Sequence, residues 1–231
     1  RYALAAVRNV GEGVVGGIVG ERAAKGPFRD LGDLARRIDP SGFNKRTLES
    51  LAVAGALDSL DRNRALVHAN AENLLSIAQR RAEDAAVGQS DLFGGGAAKT
   101  APAPLQLRSA RAWSAIEELA NEFEAIGFYL TGHPLDEYEA ALKKLGVMRY
   151  RDFEASVGPG TRSGVLAGIV TMKRERRSKS GNRFAFAGFS DQTGQFEAVV
   201  FSDVLIDAGD LLEVGSAVVV HVEAEREGDT V

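Results

Sequence analysis

The chain has 231 residues, of which 45% are hydrophobic and 26% are charged, and its formal net charge is −4. It has no cysteine, which excludes disulfide bonds and thiolate metal sites and fits a reducing cytoplasm, where we expect the protein to be located. No run of residues approaches the roughly 18 apolar positions of a membrane helix, so we expect no membrane partner.

Short helical segments fill residues 1–83 in the predicted secondary structure. Apolar residues recur there at helical spacing, and breakers such as Gly26, Pro27 and Pro40 separate the segments. The stretch "RNRALVHANAENLLSIAQRRAED" predicts one longer amphipathic helix over residues 62–84. This region is therefore predicted to be an all-α domain.

A glycine-rich turn, "VGEGVVGG", contains Gly11, Gly13 and Gly16 in a G-x-G-x-x-G pattern. A dinucleotide-binding fold would need a buried strand before it, and "ALAAVRN" has helical spacing instead, so a dinucleotide-dependent enzyme is a distant alternative. The pattern favours a helix-hairpin-helix, in which bare backbone N–H groups at a helix N-terminus bind a DNA phosphate. A plain packing turn between two helices is the other alternative.

A second, degenerate hairpin is predicted in "AVAGALDSLDRNR", with its turn at Gly55. Two hairpins in tandem would bind the duplex backbone without sequence preference and in a salt-sensitive way. The predicted duplex contacts are Val10, Gly11, Glu12, Gly13, Gly55, Arg62 and Arg64.

Residues 84–108 are rich in glycine and proline and predict a flexible linker. Within it, "GQSDLFGGG" carries Leu92 and Phe93, two large apolar residues with no periodic pattern that would bury them. We expect them to enter a pocket of a partner protein, each gaining about 1.5–3 kcal/mol of apolar transfer free energy. The alternative is that the pair packs back onto its own domain.

The hydrophobic period changes after a helical connector over residues 109–150, whose long helix is expected to end at Gly132 and Pro134. From about residue 160 the alternation predicts four strands, with the turn "DQTG" joining the second and third. This pattern suits an OB-fold, a small five-stranded barrel, over residues 151–231. Both ends of the sequence look cut, and we expect the last strand to lie beyond Val231. The predicted fold class is α+β multidomain, with an all-α tandem helix-hairpin-helix domain followed by a truncated OB-fold barrel.

A cluster of basic residues is predicted to lie in the connection between the first two strands, beside a possible aromatic platform. Cations next to exposed rings suit single-stranded nucleic acid, at about 1–3 kcal/mol per stacked base. Alternation leaves the faces of strand two open: Phe184 and Phe186 lie either outside, as the platform, or in the core. The predicted single-strand contacts are Lys173, Arg174, Arg176, Arg177, Lys179, Arg183, Phe184 and Phe186.

Four stretches together resemble the C-terminal part of the alpha subunit family of bacterial DNA polymerase III. "RYALAAVRNVGEG" and "LESLAVAGALDSLDRNR" are similar to its tandem helix-hairpin-helix region. "GFYLTGHPLDEY" is similar to the helix before its barrel, and "FSDQTGQFEAVVF" to its barrel hairpin. The resemblance covers essentially the whole chain.

This resemblance implies a role in DNA replication as the processivity part of a DNA-directed DNA polymerase. It assigns Gln89, Ser90, Asp91, Leu92 and Phe93 to the sliding clamp (the beta subunit), with DNA and other replicase subunits as further partners. We expect no catalytic residue, cofactor or metal in this chain, because the family's Mg²⁺-binding carboxylates lie upstream. The alternatives are an error-prone polymerase paralogue, or a stand-alone DNA-binding adaptor of repair or recombination.

Overall fold

The computed structural model describes residues 4–86, 105–179, 181–228 and 230–231. It divides the chain into two compact units, Arg1–Gly127 and Phe128–Val231. The first unit is helical and the second is built around a sheet, as the predicted fold class requires. The division falls inside the predicted helical connector, because the first helix of that connector packs in the first unit.

The regular secondary structure described in the first unit is helical. A short 3₁₀ turn at Leu4–Ala6 precedes the α-helices. The helices are α1 (Glu12–Lys25), α2 (Leu31–Arg37), α3 (Lys45–Val53), α4 (Arg64–Ala69), α5 (Ala71–Ala86) and α6 (Ala115–Ile126). Asp30, Asn44, Asn63 and Ser114 cap α2, α3, α4 and α6, each accepting a hydrogen bond from a backbone N–H of the first turn.

The long helix predicted over residues 62–84 is broken at Asn70, and this part of the prediction is wrong. Asn70 is buried, and its amide donates to the carbonyl oxygens of Leu66 and Arg108 and accepts from the Arg108 N–H. A buried side-chain amide must satisfy its polar groups, so it fixes the chain at Arg108 against the α4–α5 junction. Residues 105–108, predicted as linker, are therefore bound to the first unit.

Helix α6 is shorter than predicted. Ser114 and Glu117 form a reciprocal capping box at its start. Gly127 ends it in the left-handed conformation, with φ of 94°, before the predicted stop at Gly132 and Pro134 is reached.

The second unit contains a four-stranded antiparallel sheet in the order β3-β2-β1-β4. Its strands are β1 (Arg162–Arg177), β2 (Arg183–Ser190), β3 (Gln195–Val200) and β4 (Ala217–Ala224). Helices α7 (Glu139–Lys144) and α8 (Tyr150–Ser156) precede the sheet, and α9 (Ser202–Ala208) connects β3 to β4; 3₁₀ turns lie at Pro134–Tyr138 and Gly209–Leu211. No helix in the described parts of the chain is both long and apolar enough to span a membrane.

The two faces of the sheet are covered differently. Val170, Ala187 and Phe189 are buried on the concave side, with β3 and β4 valines against them. On the opposite side of β1, Ala167 and Ile169 pack against Leu135 of the segment before the sheet. The sequence left both arrangements of β2 open, and the structure selects the one with Ala185, Ala187 and Phe189 inside.

Candidate nucleic-acid interface

The first predicted hairpin turn, residues 9–13, is open. Gly11 is the N-cap of α1 and has no side-chain cap, and its carbonyl accepts the first helical hydrogen bond from Val15. A Cβ atom placed on Gly11 or Gly13 would meet nothing within 4 Å. The first N–H groups of an α-helix lack intrahelical partners, so this terminus presents bare donors to an anion.

The turn is held from behind by buried polar contacts. Asn9 has a positive φ of 64°, its side chain donates to Ser50 Oγ at 3.1 Å, and its carbonyl accepts from Thr47 Oγ1 at 3.0 Å. The Arg8 N–H donates to the Ala125 carbonyl at 2.9 Å. Thr47 and Ser50 are buried on α3, so the turn is anchored to two other helices.

Two other predicted contacts of this turn have different environments. Val10 is buried, so its side chain belongs to the core and only its backbone can serve the turn. Glu12 is exposed in the first turn of α1, where its negative charge opposes that of a bound phosphate. A carboxylate at this position disfavours an anion at the helix N-terminus.

The second predicted turn, residues 54–63, is closed by its own side chains. Gly55 has φ of +70°, and a Cβ there would lie 2.3 Å from Arg64 Nη2. Arg64 bonds Asp58 at 2.7 Å and Glu122 at 3.2 Å, and it also donates to the Val53 carbonyl. Arg64 is buried, and its guanidinium fills the space that a phosphate would need. We therefore replace the predicted phosphate role of Gly55 and Arg64 by a structural one.

Arg62 is the predicted cation of this turn that remains exposed. A phosphate role stays a prediction for this residue. The sequence signal that separates the two arginines is Asp58, a carboxylate six residues before Arg64 and within reach once the turn at Gly55 closes.

The basic cluster between residues 173 and 183 lies mostly on strands and not in a loop as predicted. β1 extends to Arg177 and β2 begins at Arg183, so Lys179 alone of the predicted cations lies in the connection. The two strands pair in register through Arg177 and Arg183. Like charges that face each other across an antiparallel pair are destabilising, and Glu175, which bonds Arg183, partly offsets this repulsion.

Alternation divides the cluster into two faces. Lys173 and Arg183 both bond Glu175 on the side of Ala185 and Ala187, and Lys173 also donates to the Gly209 carbonyl at 2.9 Å. The hydrogen bond from Arg183, with a smaller contribution from Lys173, lowers the pKa of Glu175, so this carboxylate is ionised at neutral pH. The cations of this face are therefore partly neutralised.

The opposite face, which we call the cation–aromatic face, consists of Arg174, Arg176, Phe184 and Phe186. Arg174 lies directly across from Phe186, and Arg176 from Phe184. The two rings are half-buried and meet edge to face, with centroids 5.5 Å apart. In the described residues no carboxylate lies within ion-pair distance of Arg174 or Arg176. Cations that lie across from rings on one face match the requirements for stacking and backbone neutralisation of a single strand.

Two apolar residues of this region were missed by the sequence reasoning. Val199 pairs with Phe186 and is exposed, and Phe201, at the end of β3, is 70% exposed. The signal was available, because the turn "DQTG" sets Ser190 opposite Gln195 and thereby fixes the register of the whole hairpin.

Five predicted clamp-binding residues lie outside the described residues: Gln89, Ser90, Asp91, Leu92 and Phe93. Within the described ranges no cluster of three or more His, Asp or Glu residues is placed to hold a metal ion.

Two family models match this chain, one within each of its two units. The helix-hairpin-helix motif family matches residues 1–67, and the OB-fold nucleic acid binding domain family matches residues 165–230.

Three curated relatives share the name DNA polymerase III subunit alpha. The chain is 39% identical to that of Caulobacter vibrioides (strain NA1000 / CB15N), over 99% of this chain and 20% of the relative. Identity is 35% for Pseudomonas fluorescens, over 98% of this chain and 20% of the relative, and 34% for Escherichia coli (strain K12), over 92% and 18%. The chain thus spans about a fifth of the length of these relatives. The resemblance inferred from the sequence is confirmed, and the chain is homologous to the C-terminal part of the DNA polymerase III alpha subunit.

Proposed function

We propose that this chain is the DNA-holding, clamp-binding part of a replicative DNA-directed DNA polymerase. Its first unit binds the duplex backbone, its second unit binds single-stranded template, and the peptide 89–93 binds the sliding clamp. Nucleotide transfer and its Mg²⁺ belong to upstream parts of the parent protein, which would act in the cytoplasm with other replicase subunits. The names of the relatives, the helix-hairpin-helix motif and the OB-fold nucleic acid binding domain family support this proposal.

The duplex role rests on the open turn at Gly11 and Gly13. Because no side chain covers these glycines, a phosphate oxygen can approach the backbone N–H groups closely. Binding of this kind reads no bases, which suits a polymerase that must hold any sequence.

The single-strand role rests on the cation–aromatic face, and this face is the observation that carries the proposal. Arg174 and Arg176 alternate along β1 at the spacing with which Phe184 and Phe186 alternate along β2. Bases would stack on the rings while the guanidinium groups neutralise neighbouring phosphates.

The clamp role rests on the sequence of residues 89–93. A five-residue peptide with two apolar anchors loses conformational freedom on binding, so we expect micromolar affinity for the isolated peptide. Attachment to two DNA-binding units raises the effective concentration of the peptide near a clamp on DNA. The affinity of the whole chain for clamp and DNA together therefore exceeds that of each separate part.

The single-strand role is tested by Arg174→Ala with Arg176→Ala. Affinity for an oligothymidylate should fall, and the slope of log K against log salt should become shallower by about 1.4, since each lost phosphate contact contributes about 0.7. Lys143→Ala with Lys144→Ala removes the same charge from the exposed end of α7 in the same unit and serves as the control. Equal affinities and slopes for the two double variants would contradict the assignment of this face.

The clamp role is tested by Leu92→Ala with Phe93→Ala. Binding of the purified sliding clamp, measured by titration calorimetry, should be lost, because the two anchors supply most of the apolar transfer free energy. Lys99→Ala with Thr100→Ala, in the same predicted linker, should bind the clamp as the parent does. Retained affinity in the first variant would reject this role without touching the DNA-binding roles.

A further inference from the structure

A cavity of about 460 Å³ lies in the second unit, between the segment 128–136 and the turn from β2 to β3. Its volume is within the range of small-molecule sites, about 300–1,000 Å³. The duplex and single-strand roles make no use of it. Its lining includes Tyr129, His133, Ser190, Asp191, Gln192 and Thr193.

One wall of this cavity is a buried histidine with a defined tautomer. The Leu135 N–H donates to His133 Nδ1 at 3.2 Å, so the proton of the neutral ring is on Nε2, which faces Ser190 Oγ at 3.4 Å. Burial lowers the pKa of His133 from its ordinary value of 6.5, so the ring is uncharged at neutral pH. His133 thus presents an aromatic, uncharged wall.

The turn from β2 to β3 forms another part of the lining, and one carboxylate holds it in place. Asp191 accepts from the Thr193 N–H and hydroxyl at 2.7 Å each, from the Gly194 N–H at 2.9 Å, and from the Tyr150 N–H at 2.6 Å. Both of its oxygens therefore accept hydrogen bonds from the protein. These bonds hold the backbone of the turn that carries Gln192.

The charge of the lining selects the ligand class. No lysine or arginine is among the described residues that line the cavity, and two carboxylates are. A phosphate would be repelled there, whereas an uncharged ring with donors and acceptors on its edge would meet aromatic, hydroxyl and amide groups. A side-chain amide can both donate to and accept from the edge of a base.

The position of the cavity links it to the cation–aromatic face. Ser190 is four residues beyond Phe186 on β2, and an even spacing on a strand keeps both on one face. At about 3.3 Å per residue the two positions are about 13 Å apart. A single strand that stacks on Phe186 can therefore reach the cavity within a few nucleotides.

We propose that this cavity is a pocket for one unstacked nucleobase of the bound single strand. The proposal rests on the proposed single-strand role and adds a second kind of subsite to it. Bases on Phe184 and Phe186 are held by stacking, and the base in the pocket is held at its edge by Gln192.

The test compares two strands on the full 231-residue chain. One probe is a fluorescein-labelled twelve-nucleotide oligothymidylate, and the other is the same sugar–phosphate backbone with every base removed. Gln192→Ala should weaken binding of the oligothymidylate about fivefold and leave binding of the abasic strand unchanged. Thr131→Trp, which fills the cavity from its exposed rim, should do the same. The matched control is Gln106→Ala in the first unit.

The outcomes separate this proposal from the role on which it rests. If neither pocket variant changes the ratio of the two affinities, while Arg174→Ala with Arg176→Ala weakens both strands, the pocket proposal is overturned and the single-strand role stands. If the arginine variant changes neither affinity, the single-strand role itself fails. If Gln192→Ala weakens both strands equally, the residue serves the turn and the pocket proposal is also overturned.

Discussion

The two hairpin turns of the first unit differ in what occupies the space beside their glycines. At Gly11 and Gly13 that space is empty, and the turn is fixed from behind by Thr47 and Ser50. At Gly55 the corresponding space holds the guanidinium of Arg64. A glycine turn next to arginines is therefore a poor guide to a phosphate site until the partners of those arginines are known.

The difference has an energetic cause. Arg64 is buried beside Asp58 and the fully buried Glu122, and a buried charge is tolerated only when it is paired and hydrogen-bonded. The guanidinium therefore stabilises the fold, and the second turn has a structural role. The first turn carries no such group and keeps its N–H donors for a ligand.

The largest effect should follow from Arg64→Met. Removing the guanidinium from beside Glu122 should lower the free energy of unfolding by about 3–5 kcal/mol. The sole tryptophan, Trp113, packs against His68 in the first unit, so its fluorescence during urea denaturation reports this unit. Adding Glu122→Gln should recover part of the loss. A change below about 1 kcal/mol, as for an exposed pair, would show that the ion pair is not structural.

Gly55→Ala should also destabilise the first unit. A left-handed alanine costs about 1–2 kcal/mol, and the new methyl group must displace the guanidinium 2.3 Å away, which adds about 1–2 kcal/mol. Tryptophan fluorescence measures the loss, and duplex affinity of the folded fraction should equal that of the parent. Weaker DNA binding without any loss of stability would show that Gly55 belongs to the DNA interface.

Gly13→Ala should weaken duplex binding without lowering the stability of the first unit. Nothing lies within 4 Å of the new methyl group, so stability should be unchanged or rise by at most about 1 kcal/mol. Duplex affinity, measured by fluorescence anisotropy, should fall about tenfold, or about 1.4 kcal/mol, because the phosphate can no longer approach. Gly20→Ala, further along the exposed side of α1, is the matched control and should bind as the parent does.

Glu12→Gln should produce the smallest of these changes, an increase in duplex affinity. Removing a negative charge from the first turn of α1 should raise duplex affinity about two- to fivefold at low salt, which corresponds to about 0.4–1 kcal/mol. The gain should shrink as salt is added. Glu83→Gln, exposed on α5, serves as the control. An unchanged affinity at low salt would mean that no phosphate lies near this terminus.

Local signals in the sequence predicted most of the architecture. The change of period near residue 160 located the sheet, and the predicted breakers Gly26, Pro27 and Pro40 lie between helices of the first unit. These features depend on neighbours within a turn or a strand, which a sequence displays directly.

Other features depend on contacts between distant residues and could not be read in this way. Asn70 breaks a helix because it bonds Arg108, 38 residues away. Arg64 is buried because Glu122, 58 residues away, completes its environment. Which face of β2 is inside became clear only from the packing of Phe189 against Val170 and Leu212.

The most direct test of the account is an NMR titration of the ¹⁵N-labelled chain with a short duplex DNA. The amide signals of Gly11 and Gly13 should shift and saturate, with the shifts reversed by salt. The signal of Gly55, whose N–H donates to the Ala52 carbonyl at 3.0 Å, should stay in place. Shifts at Gly55 with none at Gly11 and Gly13 would contradict the assignment of the open turn as the duplex contact.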